Sequence, residues 1–171
     1  MSVITTIIAA LSGAVAAGLL KAADQFFERR RRRESTLVAL VSEVQAIKML
    51  IESQGYFEQF SNLASEIRKG SWDGTSYVVD IRGSYFTVYH SLVAEMGLLK
   101  PAHVSQIVSF YTFCQSVIDA TRPDGPLSVD ADSDDQEGNI LGLEGALMAI
   151  LLLADEITKF PKVPLPVFDG Q

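Results

Sequence analysis

The hydrophobic pattern begins with a stretch that has no polar face. From Val3 to Leu20 the chain reads VITTIIAALSGAVAAGLL, 18 residues without a charge. Beyond it, apolar residues recur at helical spacing. Leu40, Val44, Ile47 and Ile51 form one stripe, widened by Leu37, Val41 and Lys48. No Gly or Pro lies between Leu19 and Gln54. The two stretches therefore read as one helix of about 50 residues, which Gly55 ends.

The same period continues downstream. Tyr56, Phe60, Leu63 and Ile67 predict a second helix up to Lys69, capped by Gly70. Ser71 to Ser76 is polar and reads as a loop, with the lone Trp72 as a lid on the core. Tyr77 to Gly97 keeps helical register through Val78, Ile81, Tyr85, Val88 or Tyr89, Leu92 and Met96, with Gly97 as its C-cap. Leu98 and Leu99 are expected to turn inward before Pro101 opens the next helix. That helix runs to Thr121 and is expected to bury Val104, Ile107, Val108, Tyr111, Cys114 or Gln115, and Ile118. Residues 122–138 hold Pro123, Gly125, Pro126 and six acidic residues, and read as a long loop. A last helix, capped by Asn139 and running to Lys159, is apolar on nearly all sides, as suits the central member of a bundle. The tail, residues 161–171, is Pro-rich.

An 18-residue helix is about 27 Å long, close to the ~30 Å of a bilayer's hydrocarbon core. In lipid the backbone must satisfy its own hydrogen bonds, so the Val3–Leu20 run is expected to be a transmembrane helix. A cleaved signal peptide competes, with Ala14-Val15-Ala16 as its site, but such a peptide carries its positive charge before the apolar run. Here Lys21 and the five arginines Arg29, Arg30, Arg31, Arg32 and Arg33 follow it. A buried helix of a soluble protein is the other alternative. The positive-inside rule places the N-terminus outside and the rest in the cytoplasm, a single-pass protein of an inner membrane with the arginines as its collar. Ala9, Gly13 and Ala17 on one line, and Ala10, Ala14 and Gly18 on the next, form a small-residue stripe for helix association. A second span in the last helix is disfavoured, because its uncharged run, Gly145 to Ala154, is too short.

Charge divides at the collar. Residues 34–171 carry 8 Lys/Arg and 19 Asp/Glu, a net −11, against +4 for residues 1–33 and −7 for the whole chain. An acidic body without an aromatic-basic surface argues against nucleic acid as a partner. The single cysteine allows no internal disulfide.

Three short patterns carry a resemblance: Tyr85-Phe86-(x)2-Tyr89, then Met96-Gly97-Leu98-Leu99, then Val104-(x)2-Ile107-Val108-(x)-Phe110-Tyr111. Together they resemble uncharacterised small bacterial membrane-anchored helical proteins. Those proteins have an N-terminal span and charged collar before a helical domain, with an "IGLL" turn and an "IVxFY" helix. Met96 stands where Ile is usual. The resemblance spans some 40 residues. It implies a fold and a topology and no activity.

No catalytic constellation emerges. His90 and His103 are the only histidines, and with Glu95 between them they supply too few ligands for a metal. Cys114 on an apolar face reads as a core residue. Asp130, Asp132 and Asp134 open a calcium-loop spacing, but position 6 is Asp135 rather than Gly and position 12 is Leu141 rather than Glu.

The expectation is all-α: a membrane anchor and collar over residues 1–33, an antiparallel bundle of four to five helices over 34–160, and the tail. Its expected function is that of a non-enzymatic, membrane-tethered scaffold without cofactors, a candidate homo-oligomer that meets a protein partner. The alternative is an oligomerising membrane effector or sensor of a bacterial stress or phage-defence system.

Overall fold

The computed structural model describes residues 3–73, 83–122, 125–127 and 133–160, with side chains from Leu20, Tyr85 and Asp135 onward in the first, second and fourth of these segments. Among the described residues there are five α-helices and no strand: α1 (Val3–Ser53), α2 (Tyr56–Arg68), α3 (Thr87–Leu92), α4 (Pro101–Thr121) and α5 (Ser133–Ile157). Short 3-10 turns, Gly83–Phe86 and Val93–Leu98, flank α3.

The uninterrupted reading of α1 agrees with its 51 residues. It stops where Gly55 takes a left-handed conformation (φ 64°) that an L side chain rarely adopts. The same Gly55 carbonyl accepts the first bond of α2, from the Gln59 N–H at 3.0 Å. At the end of α2, Gly70 (φ 66°) donates to the Ile67 carbonyl and Ser71 to that of Glu66, the paired bonds of a Schellman cap.

Leu37, Leu40, Val41, Val44, Ile47 and Ile51 are all buried on α1. They meet Phe60 and Ala64 of α2, Ile107, Phe110, Tyr111 and Cys114 of α4, and Ile140, Leu143, Leu147 and Ile150 of α5 in one core. The helix directions follow from contacts along α1. Thr36 bonds Glu95 and Glu43 bonds the amides of Val88 and Tyr89, so the α3 region runs antiparallel to α1. Tyr111 meets Glu43, and further on Val117 and Ile118 share a cavity wall with Ile47 and Ile51, so α4 runs parallel to α1. His103 stacks on Phe160 while Val117 and Ile118 face Leu147 and Ile150, so α5 returns antiparallel to α4.

Four local differences from the sequence reading have physical causes. The helix expected to reach Gly97 is broken among its described residues into a 3-10 turn, α3 and a second 3-10 turn. A carboxylate from α1 reaches into the backbone here and fixes where α3 begins. Leu99 is buried but Leu98 stays exposed, because the chain turns extended at Leu99 to enter α4. On α4, Phe110 and Val117 also face inward beside Ile107, Tyr111, Cys114 and Ile118, while Val108 faces out. Finally, α5 begins at Ser133, six residues before Asn139, so the acidic residues Asp135 and Glu137 lie on its first turns rather than in a loop. Acidic side chains there favour the positive end of the helix dipole.

No helix among the described residues is long and apolar enough to cross a membrane. From Leu20 on, α1 carries Lys21, Asp24, Glu28 and the arginines, so its described part has no such run. The expected transmembrane segment, Val3 to Leu20, lies outside the described side chains except for its last residue.

One carboxylate joins three of the elements. Glu43 accepts the Val88 N–H at 2.7 Å and the Tyr89 N–H at 2.9 Å, and the Tyr111 hydroxyl donates to it at 2.6 Å. Val88 and Tyr89 are the second and third residues of α3, whose amides lack partners within the helix. A cap is normally a residue next to the helix; here it arrives from α1. Burial, and then the bond to Glu43, raise the Tyr111 hydroxyl above its usual value, so it stays protonated and keeps donating. Glu43→Ala is expected to cost about 2–3 kcal/mol and Tyr111→Phe about 1.5 kcal/mol, since bonds to a charged partner exceed ordinary ones. Urea unfolding of both single variants and the double variant should show coupling of about 1 kcal/mol or more. Strict additivity would mean that the Tyr111–Glu43 bond contributes nothing.

Candidate functional site

The collar is a bare stretch of helix. Every residue from Leu20 to Arg32 is exposed, and Arg33 is the first that is partly covered. Arg30 pairs with Glu34 and Arg32 with Glu28, each one turn away and in water, where such pairs contribute about 0.3–0.5 kcal/mol. Arg29, Arg31 and Arg33 form no ion pair among the described residues. Beside the collar, an open groove of about 490 Å³ is lined by Glu28, Arg31, Arg32, Thr36, Leu92 and Glu95. Two acids and two bases leave those walls without net charge. The helix-association residues Ala9, Ala10, Gly13, Ala14, Ala17 and Gly18 lie outside the described side chains, as do Asp130, Asp132 and Asp134.

A second surface lies on α5, and the sequence reading passed over it. Gly138, Gly142 and Gly145 recur four and three residues apart, so they share one face with Met148 and Leu152. That face is open. A Cβ added at any of the three glycines would meet nothing within 4 Å, and Met148 and Leu152 are 50% and 61% exposed. The helix read as the central member of the bundle therefore keeps one face at the surface. Each glycine inside a helix costs about 1 kcal/mol against alanine, and no close approach within the described chain requires the missing side chains. The spacing was visible in the sequence; the openness was not.

Several other polar groups of the bundle hold helices together, while the buried Trp72 Nε1 and His103 Nδ1 have no hydrogen-bond partner among the described residues. Glu144 on α5 accepts from Ser61 and from Arg68 on α2, and the Arg68 bond holds its carboxyl below the ordinary range. Lys48 bridges to Asp155 at 2.6 Å. Thr36, itself buried, donates to Glu95 at 2.7 Å.

Of the candidates for chemistry, His90 is exposed against Phe86 and Tyr89, while His103 is partly buried and stacked flat on Phe160 at 4.1 Å. The structure does not join them in a ligand set, and among the described residues no group of three metal-ligating side chains occurs. Cys114 is buried, and burial pushes its thiol up to about 12, so it is protonated and unreactive at neutral pH. It forms part of the wall of an apolar cavity of about 60 Å³ with Ile47, Ile51, Phe60, Phe86 and Leu147. Trp72 is partly buried against the core, as a lid would be.

The chain matches no family model, no curated protein and no solved structure.

Two predictions follow from this geometry. Gly142→Ala is expected to stabilise the fold by about 1 kcal/mol, since the methyl group enters open space. In a chain of this length that raises Tm by about 2–4 °C, measurable by thermal unfolding. A fall in Tm would mean that the strip is covered within the monomer. His103 supplies the second. Its pKa lies below the usual value because of burial first, then the charges of Lys100 and Arg33. The folded ring thus stays neutral at a pH where the unfolded ring takes a proton. Its contribution is complete above about pH 6.5 and declines as pH falls through that value toward the folded pKa. His103→Phe keeps a ring against Phe160, so its Tm relative to the parent should rise between pH 7.5 and 5.5. A constant difference would remove His103 from the acid sensitivity.

Proposed function

We propose that the chain is a membrane-tethered helical module that works by protein contact rather than catalysis. In this reading the Val3–Leu20 run crosses an inner membrane once with the N-terminus outside. The arginines sit at the cytoplasmic leaflet, and the bundle stands on the same helix in the cytoplasm. Tethering acts by raising a partner's effective concentration at the bilayer. Ala9, Gly13 and Ala17, with Ala10, Ala14 and Gly18, would bring copies together.

The glycine strip on α5 is the observation that carries the reading. Three helix glycines that weaken the fold and touch nothing among the described residues make sense where another backbone must come close, as small residues allow at helix–helix contacts. Met148 and Leu152 continue the strip with flexible apolar side chains suited to such a contact. The continuity of α1 supports the tether, because one unbroken helix links the uncharged run to core residues from Leu37 onward. The acids and bases inside the bundle are paired across helices, which supports contact over catalysis.

Cell fractionation and crosslinking test this together. The full chain should stay in membranes through alkaline washing, and deletion of residues 1–33 should release it. A photo-crosslinking residue at Met148 should give one discrete adduct in those membranes, lost on Gly142→Leu. A chain that is washed free refutes the tether. A retained chain without a discrete adduct refutes the α5 contact. Dye leakage from cells that overproduce the full chain would favour a membrane effector instead.

A further inference from the structure

The bare stretch of α1 between the uncharged run and the bundle is not plainly water-soluble. Leu20, Phe26 and Phe27 are exposed there, each by about two thirds (68%, 64% and 64%), with the two rings edge to face at 5.9 Å. Nothing in the described chain packs on them. After Glu28, which pairs with Arg32, come the five arginines, of which Arg29, Arg31 and Arg33 have no acidic partner among the described residues.

We propose that Phe26, Phe27 and the arginines at 29, 31 and 33 form a recognition belt for an anionic bilayer surface, the rings at the acyl boundary, the Arg29 guanidinium on lipid phosphates, and those of Arg31 and Arg33 in the surface's field just outside them. This rests on the tethered reading above and adds a lipid class and a depth. Helical side chains lean toward the N-terminus, over the turn before their own Cα. The two rings therefore cover the turn at Ala22 and Ala23, within about 3 Å of rise past Lys21. The guanidiniums cover the turns from Gln25 to Arg29, about 6–12 Å past Lys21. A headgroup layer is about 5–7 Å thick on each side of the hydrocarbon, so the rings meet its inner edge and the first arginines its phosphates. The Lys21 stem extends outward, and Asp24, about 4.5 Å further along the helix, stands in the same headgroup layer.

Charge decides between this occupant and a second copy of the chain. Copies joined through the small-residue stripe would bring five arginines beside five, so anionic phosphates rather than the neighbouring collar must neutralise them. The −11 carried by residues 34–171 repels the same surface, so the belt is also where attraction must reside.

A single tryptophan reports the depth. In full-length Trp72→Phe/Phe27→Trp, reconstituted into phosphatidylcholine vesicles with and without phosphatidylglycerol, emission should be blue-shifted. Bromine near the head of the acyl chain should quench it at least about twofold more than bromine near the tail, as for a ring at the interface. Replacing Arg29, Arg31 and Arg33 by Gln should reduce the quenching in anionic vesicles to the level in zwitterionic ones. Phe26→Trp in the same background repeats the measurement from the neighbouring ring, and circular dichroism confirms the helices of each variant. If the chain floats with vesicles but both tryptophans emit as in water, the belt is refuted and the tether stands. If it does not float, both are refuted. Blue-shifted emission that grows with protein concentration and is insensitive to brominated lipid would assign the rings to a second copy and overturn the proposal. Equal quenching in both vesicle types would overturn the anionic specificity.

Discussion

One carboxylate gathers the α3 region, α1 and α4 at a single point. Glu43 sits on α1 between the buried Leu40 and Val44, yet its two oxygens satisfy two amides at the start of α3 and the hydroxyl of Tyr111 on α4. A partly buried carboxylate is costly unless its lone pairs are used, and here three donors use them. Around this contact Tyr111 stacks on Tyr89 at 3.9 Å and meets Phe86 and Phe110 edge to face. A six-residue helix has too few internal bonds to stand alone. Its position and its first turn are imposed from outside, by Glu43 at one end and by the Thr36–Glu95 bond beyond the other.

The opposite side of the bundle shows the reverse relation between fold and surface. α5 supplies six residues to the core, from Ile140 to Ile157, and could carry alanines on its outer face at no steric cost. It carries glycines instead. Stability is given up along a strip that has no role in packing the described residues, next to two exposed residues, Met148 and Leu152, that would be better placed inside. Glu144 and Lys48 are paired across helices inside the bundle, and the open, weakened face of α5 is the observation on which the proposed protein contact rests. The strip also ends beside Asp155, which Lys48 holds, so its edge against α1 is pinned rather than mobile.

Much of this fold was legible in the sequence because it depends on local period. The stripe from Leu37 to Ile51, the stop at Gly55, the cap at Gly70 and the start at Pro101 all follow from residue type and spacing. What could not be read is long-range. Nothing local marks Glu43 as a cap for residues 45 positions away. The same ignorance made one helix of Tyr77–Gly97, since apolar register alone cannot show that an outside acceptor resets the start at Thr87. For α5, hydrophobicity on all sides suggested full burial, but glycine counts as neither apolar nor polar in such a pattern, so the open face was concealed. The collar arginines were legible as charge; their exposed neighbours Phe26 and Phe27 became significant only once the chain was seen to leave them bare.

Continuity of α1 links these surfaces. A helix without Gly or Pro between Leu19 and Gln54 has no ready point of bending or independent rotation. Phe26 lies 11 and 18 residues before Leu37 and Val44, close to three and five whole turns, so it is on the side of α1 that faces the core. Phe27 lies about 100° further round. Whatever fixes these rings therefore fixes the azimuth of the bundle above them, and with it the direction in which the α5 strip is presented. A flexible linker would concentrate a partner without orienting it. In the proposed tether a continuous shaft would do both, and for helix-on-helix contact across a flat surface orientation is the scarcer quantity.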